Sequence, residues 1–127
     1  MSAIIKIENL RKVYPVGKER IVALNNISFD IEEGEICCIL GTSGSGKSTL
    51  LNQLAGLEKP TKGSVTIGKT NISALSETKL AKIRQKYIGF VFQSYNLLPA
   101  YTALKNVAMP LMFRGVTKKK REQKARE

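Results

Sequence analysis

Ile36-Cys37-Cys38-Ile39-Leu40-Gly41-Thr42-Ser43-Gly44-Ser45-Gly46-Lys47-Ser48-Thr49-Leu50 decides the fold. A continuous apolar run of strand length, residues 36–40, predicts a strand buried on both faces of a parallel sheet. A helix follows it directly, with Leu50, Leu54 and Leu57 at helical spacing and Gly56 and Pro60 closing the segment. The loop between them, Gly41 to Ser48, matches G-x-x-x-x-G-K-[ST] at every fixed position. Glycines at 41, 44 and 46 let the loop curl with its backbone N–H groups inward, and the helix opening at Lys47 adds its positive dipole end. Such a nest suits a chain of phosphates. Lys47 is expected to reach the β- and γ-phosphates, Ser48 to offer its hydroxyl to Mg²⁺, and Thr49 to sit beside the α- and β-phosphates.

Upstream, residues 4–10 read as a short strand, residues 15–20 as a polar loop, and Ile27, Phe29 and Ile31 alternate as a second strand. Both look antiparallel and half exposed. Downstream, residues 63–67 predict a strand with Val65 and Ile67 on one face. Ser76 and Glu77 open a helix whose buried side carries Leu80, Ile83 and Tyr87. Residues 88–92, Ile-Gly-Phe-Val-Phe, form a second run of the doubly buried type, ended by Gln93. Thr102 caps a helix bearing Leu104, Val107, Ala108 and Leu111, which Pro110 is expected to kink or shorten and Gly115 to stop. A last, solvated helix begins at Thr117.

Composition excludes several chemistries. The 127 residues carry 21 Lys+Arg against 10 Asp+Glu, a net charge of +11, with no His and one Asp, Asp30. A Ser-His-Asp triad, a His-based zinc site and an Asp-rich calcium loop lack their raw material. Cys37 and Cys38 are adjacent in an apolar run, which predicts reduced, buried thiols rather than a disulfide frame or a metal clamp. No apolar h-region opens the chain, and the longest apolar stretch, residues 107–113, is broken by Pro110 and far shorter than the roughly 20 residues of a spanning helix. From Arg114 onward, seven basic residues face two acidic ones without aromatic interleaving, a solvated helix rather than a nucleic-acid arm.

The flanks of the loop resemble the nucleotide-binding domain of ATP-binding cassette transporters. Tyr14, in Leu10-Arg11-Lys12-Val13-Tyr14, stands where that family places an aromatic that stacks on adenine, and Ala23-Leu24-Asn25-Asn26-Ile27-Ser28-Phe29 and Glu33-Gly34-Glu35 also look like its pattern. The resemblance assigns Gln93 to Mg²⁺ and the attacking water; an ordinary turn glutamine is the other reading. Ser94-Tyr95-Asn96-Leu97-Leu98-Pro99 and residues 102–111 look like the macrolide-exporter and lipoprotein-release branch, except that Lys105 replaces a usual acid.

On this resemblance the fold is α/β, a P-loop NTPase of the ABC type with an antiparallel β-subdomain, parallel core strands and the start of a helical subdomain. Residues 1–95 correspond to the β-subdomain and P-loop core, residues 96–127 to the start of the helical subdomain. The ligand set implied is ATP and Mg²⁺, with binding by Tyr14, Gly41, Ser43, Gly44, Ser45, Gly46, Lys47, Ser48 and Thr49, metal contacts from Ser48 and Gln93, and catalysis by Lys47 and Gln93. Implied partners are a transmembrane permease subunit and a second nucleotide-binding domain, at the cytoplasmic face of the membrane. Leu97, Leu98, Met109, Leu111, Met112 and Phe113 are either a docking groove for the permease or subdomain core.

A complete domain of this family also has a Leu-Ser-Gly-Gly-Gln signature, a second Asp followed by a catalytic Glu, and a switch His. None occurs here, so the expected reading is the N-terminal portion of an ATP-hydrolysing subunit, inactive alone and with exposed edges on its two apolar runs. The alternatives are a nucleotide-binding module without hydrolysis and a cassette ATPase that acts on nucleic acid.

Overall fold

The computed structural model describes residues 3–127. The chain divides into two compact units, one ending at Arg84 and one running from Gln85 to Glu127.

The first unit is built on a long hairpin, β1 (Ala3–Val16) and β2 (Glu19–Glu32), joined by β3 (Lys62–Ile67) and β4 (Thr70–Asn71) in the order β2-β1-β3-β4. Every pairing is antiparallel. The polar loop expected at residues 15–20 shrinks to Gly17-Lys18, because Val16 pairs with Glu19 and Gly17 takes a φ of 61° that suits a two-residue turn. Pro15 is accommodated since β3 pairs with β1 only as far as Arg11, leaving that edge without a ladder donor to supply.

Two asparagines set the register. Between the pairs Ile7↔Phe29 and Leu10↔Ile27, β1 holds one extra residue, and Asn9 there has φ 48°; the next irregularity places the extra residue on β2, where Asn26 has φ 56°. Asn9 donates its N–H to Ser28 Oγ at 2.8 Å. The bulge puts Ile7 and Leu10, three apart, on one buried face with Leu24 and Val65. Gly63 (φ 82°) lies against this bulge so closely that a Cβ would stand 2.3 Å from Asn9 O.

Helix α1 (Lys47–Leu54) packs Leu50 into this core, and α2 (Glu77–Tyr87) contributes Leu80, with Ile72 from a single 3₁₀ turn (Ile72–Ala74). Gly56 (φ 62°) ends α1: its N–H reaches Gln53 O at 3.1 Å and the Leu57 N–H reaches Asn52 O at 2.9 Å, the paired bonds of a Schellman motif. The expected apolar stripe is corrected at two points. Leu57 falls beyond the helix and is exposed, and the buried neighbour of Leu50 is Gln53, whose side chain is oriented inward by its three-residue spacing from Leu50. On α2, Tyr87 sits on the exposed last turn.

Gln53 is 1% exposed, and neither Nε2 nor Oε1 has a hydrogen-bond partner among the described residues. An orphaned buried amide costs about 1–3 kcal/mol. Gln53→Met keeps the unbranched shape and removes both polar atoms, so its thermal midpoint is expected to rise; a fall shows that the amide is satisfied in solution.

The two runs read as parallel strands are not strands. Residues 35–40 and 88–92 have no ladder partner, and Ile36, Leu40 and Val91 are 91, 91 and 97% exposed. Cys37 and Cys38 are consequently exposed rather than buried. A strand flanked by polar N–H and C=O groups forms only when neighbours accept and donate along it, and the β2-β1-β3-β4 ladder takes neither run.

In the second unit, Thr102 Oγ1 accepts the Lys105 N–H at 3.3 Å and opens α3 (Ala103–Phe113). Asn106 pins the preceding loop, its Oδ1 accepting the Leu98 N–H at 2.8 Å while Nδ2 donates to the carbonyls of Leu98, Tyr101 and Thr102. Pro110 lies inside α3 without ending it. Gly115 (φ 74°) ends it, with Val116 N–H to Leu111 O and Gly115 N–H to Met112 O. Helix α4 (Lys118–Lys124) buries no residue. No helix among the described residues is long and apolar enough to cross a membrane.

Candidate functional site

The glycine-rich loop joins residue 40 to α1 within the first unit. Gly44 and Gly46 hold φ values of 78° and 91°, and the Ser45 N–H turns back to Thr42 O at 3.2 Å. Gly46 is the N-cap of α1 and offers no side-chain acceptor, so the first-turn N–H groups stay free to meet a ligand. Gly46 is also wedged against β2: a Cβ there would stand 2.4 Å from Ala23 O and 3.2 Å from Leu24 Cδ2. The hairpin is therefore the wall that sets the position of the loop.

Lys47 folds back over the loop. Its Nζ donates to Thr42 O at 2.6 Å and to Ser45 Oγ at 3.2 Å. The ammonium thus lies with the inward-curled backbone and the open helix end, a concentration of positive potential suited to an anion. Ser43, Gly44, Ser45 and Ser48 are exposed, and Gly41 lies so near Ser45 Oγ that a Cβ would meet it at 2.4 Å.

Tyr14 lies at the end of β1 and is brought to the same helix. Its hydroxyl donates to Glu58 Oε2 at 2.5 Å, and Glu58 Oε1 accepts from Asn52 Nδ2 of α1 at 3.1 Å. Lys12 Nζ lies 3.4 Å from Glu58 Oε2, donates to Lys59 O at 2.7 Å and stands 5.1 Å from the Tyr14 ring centroid. Burial, then the bond to Glu58, pushes the Tyr14 phenol above its ordinary pKa, partly offset by a hydrogen bond with Thr49. For Glu58, burial works to raise the carboxyl pKa, but the hydrogen bonds from Tyr14, Asn52 and Lys12, with the Lys12 charge, together hold it below its ordinary value.

Of the residues the sequence points to, the structure brings Tyr14 to the first turns of α1, where Lys47 and Thr49 lie. Lys12, Asn52 and Glu58, which stand beside Tyr14, are not among them. Glu58 is 44 residues from Tyr14, and only the lone acid in Glu58-Lys59-Pro60 just after the helix end hinted at a partner. Gln93 belongs to the second unit, exposed in an irregular segment after Phe90 and Phe92, whose rings pack at 4.7 Å. Leu97, Leu98, Met112 and Phe113 in that unit are exposed, whereas Met109 and Leu111 are half-buried. Among the described residues no group of three or more His, Cys, Asp or Glu side chains is arranged to hold a metal ion.

A family model described as ABC transporter matches residues 24–127. An uncharacterized ABC transporter ATP-binding protein of Thermotoga maritima is 46% identical over all 127 residues, which span 54% of its length. The macrolide export ATP-binding/permease protein MacB of Salmonella typhimurium is 42% identical over all of this chain and 20% of its own. Among solved structures, the dimeric post-hydrolysis state of the ATP-binding cassette MJ0796 of Methanocaldococcus jannaschii, bound to ADP and Pi, superposes with a TM-score of 0.91 at 45% identity. That alignment covers 95% of this chain and 53% of the other. The chain spans about half the length of the first relative and a fifth of MacB.

Proposed function

This chain belongs to the ABC transporter family, and from that premise we propose that it is the nucleotide-binding part of a subunit that couples ATP binding and hydrolysis to export. The observation that carries the reading is the uncapped start of α1 beneath a glycine loop, with the Lys47 ammonium folded onto that loop. Gly41, Ser43, Gly44, Ser45, Gly46, Lys47 and Thr49 cradle the triphosphate, and Tyr14 stacks on adenine. Mg²⁺ fits a hydroxyl at the helix start, which Ser48 supplies from an exposed position. Gln93 is the second residue that the family resemblance assigns to the ion. When bound, the ion neutralises phosphate charge. Lys47 and Gln93 are the residues assigned to catalysis.

Export is favoured by the likeness to MacB, whose name joins macrolide export to an ATP-binding and permease protein. The partners proposed are a permease at the cytoplasmic face, reached through the exposed Leu97, Leu98, Met112 and Phe113, and a second cassette, as in the dimeric MJ0796 structures. Residues 1–95 act as the nucleotide core and residues 96–127 as the start of the permease-facing subdomain.

The test is MgATP turnover by the intact protein, alone and reconstituted with its permease in vesicles, beside binding to single- and double-stranded DNA. Permease-stimulated hydrolysis with weak DNA binding is expected. Tight DNA binding that falls steeply with salt instead assigns the +11 charge to phosphate contacts and the protein to nucleic-acid work.

A further inference from the structure

We propose that Glu58 is a positioning residue for nucleotide recognition, fixing the Tyr14 ring as a base platform at a set distance from the phosphate loop. The inference rests on the reading of Tyr14 as the adenine-stacking side chain. A tyrosine at a strand end has two side-chain torsions to restrain before its face can serve as a rigid surface. Glu58 restrains the far end of the ring through the hydroxyl contact at 2.5 Å. Lys12 and Tyr14 are two apart on β1 and share a face, so the Lys12 ammonium, held by Lys59 O and Glu58, lies against the ring at 5.1 Å.

The second oxygen of Glu58 gives the clamp its meaning. It is bound by Asn52, on the same eight-residue helix that begins with Lys47, Ser48 and Thr49. The path from Tyr14 through Glu58 to Asn52 therefore ties the end of β1 to the helix whose N-terminus faces the phosphates. A nucleotide spans only a limited range of distances from base to triphosphate, and a site that holds both reading elements within that range loses less freedom on binding. The carboxylate is suited to the task because it accepts from both sides at once, from the Tyr14 hydroxyl on one oxygen and from Asn52 on the other.

The experiment compares the affinities of the intact protein for MgATP and for magnesium tripolyphosphate, which lacks a base. Tyr14→Ala weakens MgATP by about tenfold and leaves tripolyphosphate unchanged. Glu58→Ala and Tyr14→Phe, which cut the clamp from its two ends, each weaken MgATP by about three- to fivefold with tripolyphosphate again unchanged. The double variant is no weaker than either single one, and Glu58→Gln, which keeps an acceptor, recovers most of the loss. If Tyr14→Ala is selective for MgATP while Tyr14→Phe and Glu58→Ala both bind as wild type, stacking stands and the positioning role is overturned. Equal loss of both ligands in Glu58→Ala with none in Tyr14→Phe reduces Glu58 to a structural residue. Equal loss of both ligands in Tyr14→Ala overturns the stacking reading itself.

Discussion

Lys47→Ala is expected to lower MgATP affinity by at least tenfold and to abolish turnover in the intact protein, while leaving the unfolding transition in place. The side chain makes two hydrogen bonds, both to its own loop, at Thr42 O and Ser45 Oγ, and neither reaches the Ile7, Leu10, Leu24 core. Stability therefore changes little. The charge matters to the ligand instead. Hydrogen bonds from an ionised donor contribute about 1.5–3 kcal/mol, which corresponds to roughly 10- to 150-fold in affinity. On the proposed function, charge that builds on the transferred phosphoryl group would draw further on the same ammonium. Lys47→Arg is expected to restore little, since a planar fork does not fold into the space a compact ammonium occupies over the loop. The checks are calorimetric titration with MgATP and release of inorganic phosphate. Wild-type turnover by Lys47→Ala would remove the loop from the chemistry.

The parts of this molecule that were legible in sequence are those set by local chemistry. The glycine spacing, Lys47 at the helix start, the Thr102 cap, and the stop at Gly115 each depend on residues a few positions apart, and each appears where the reading places it. Asn9 and Asn26 were invisible as bulge residues, because a positive φ at a non-glycine is settled by the ladder around it. The same holds for Glu58. Its partners lie on β1 and α1, and only the closure of the hairpin onto the helix brings them together.

The apolar runs at residues 36–40 and 88–92 teach a different lesson. Their composition predicts strands, yet periodicity reports only what a segment can bury, and pairing requires a neighbour that the four-stranded antiparallel sheet does not offer. The exposure of Cys37 and Cys38 follows from the same cause.

Gly46→Ala is the second substitution with a large expected effect, and Gly44→Ala is its control. Both glycines hold positive φ, 91° and 78°, where a Cβ costs roughly 1–2 kcal/mol on backbone grounds alone. They differ in what surrounds them. A Cβ at Gly44 meets nothing within 4 Å, whereas one at Gly46 stands 2.4 Å from the Ala23 carbonyl oxygen of β2. That neighbour is main chain of β2, at the irregularity between the pairs Lys12↔Leu24 and Val13↔Val22, and cannot rotate aside as a side chain would, so loop and strand must part, at a further cost of about 1–3 kcal/mol. Their parting carries the first turn of α1 away from the wall that sets it, and with it the N–H groups and Lys47. Gly46→Ala is thus expected to lower the thermal midpoint well below that of Gly44→Ala and to bring MgATP and tripolyphosphate affinity down together, since the phosphate contacts are what move. The opposite pattern, equal midpoints for the two variants, means that β2 yields and the hairpin is not the support that positions the loop.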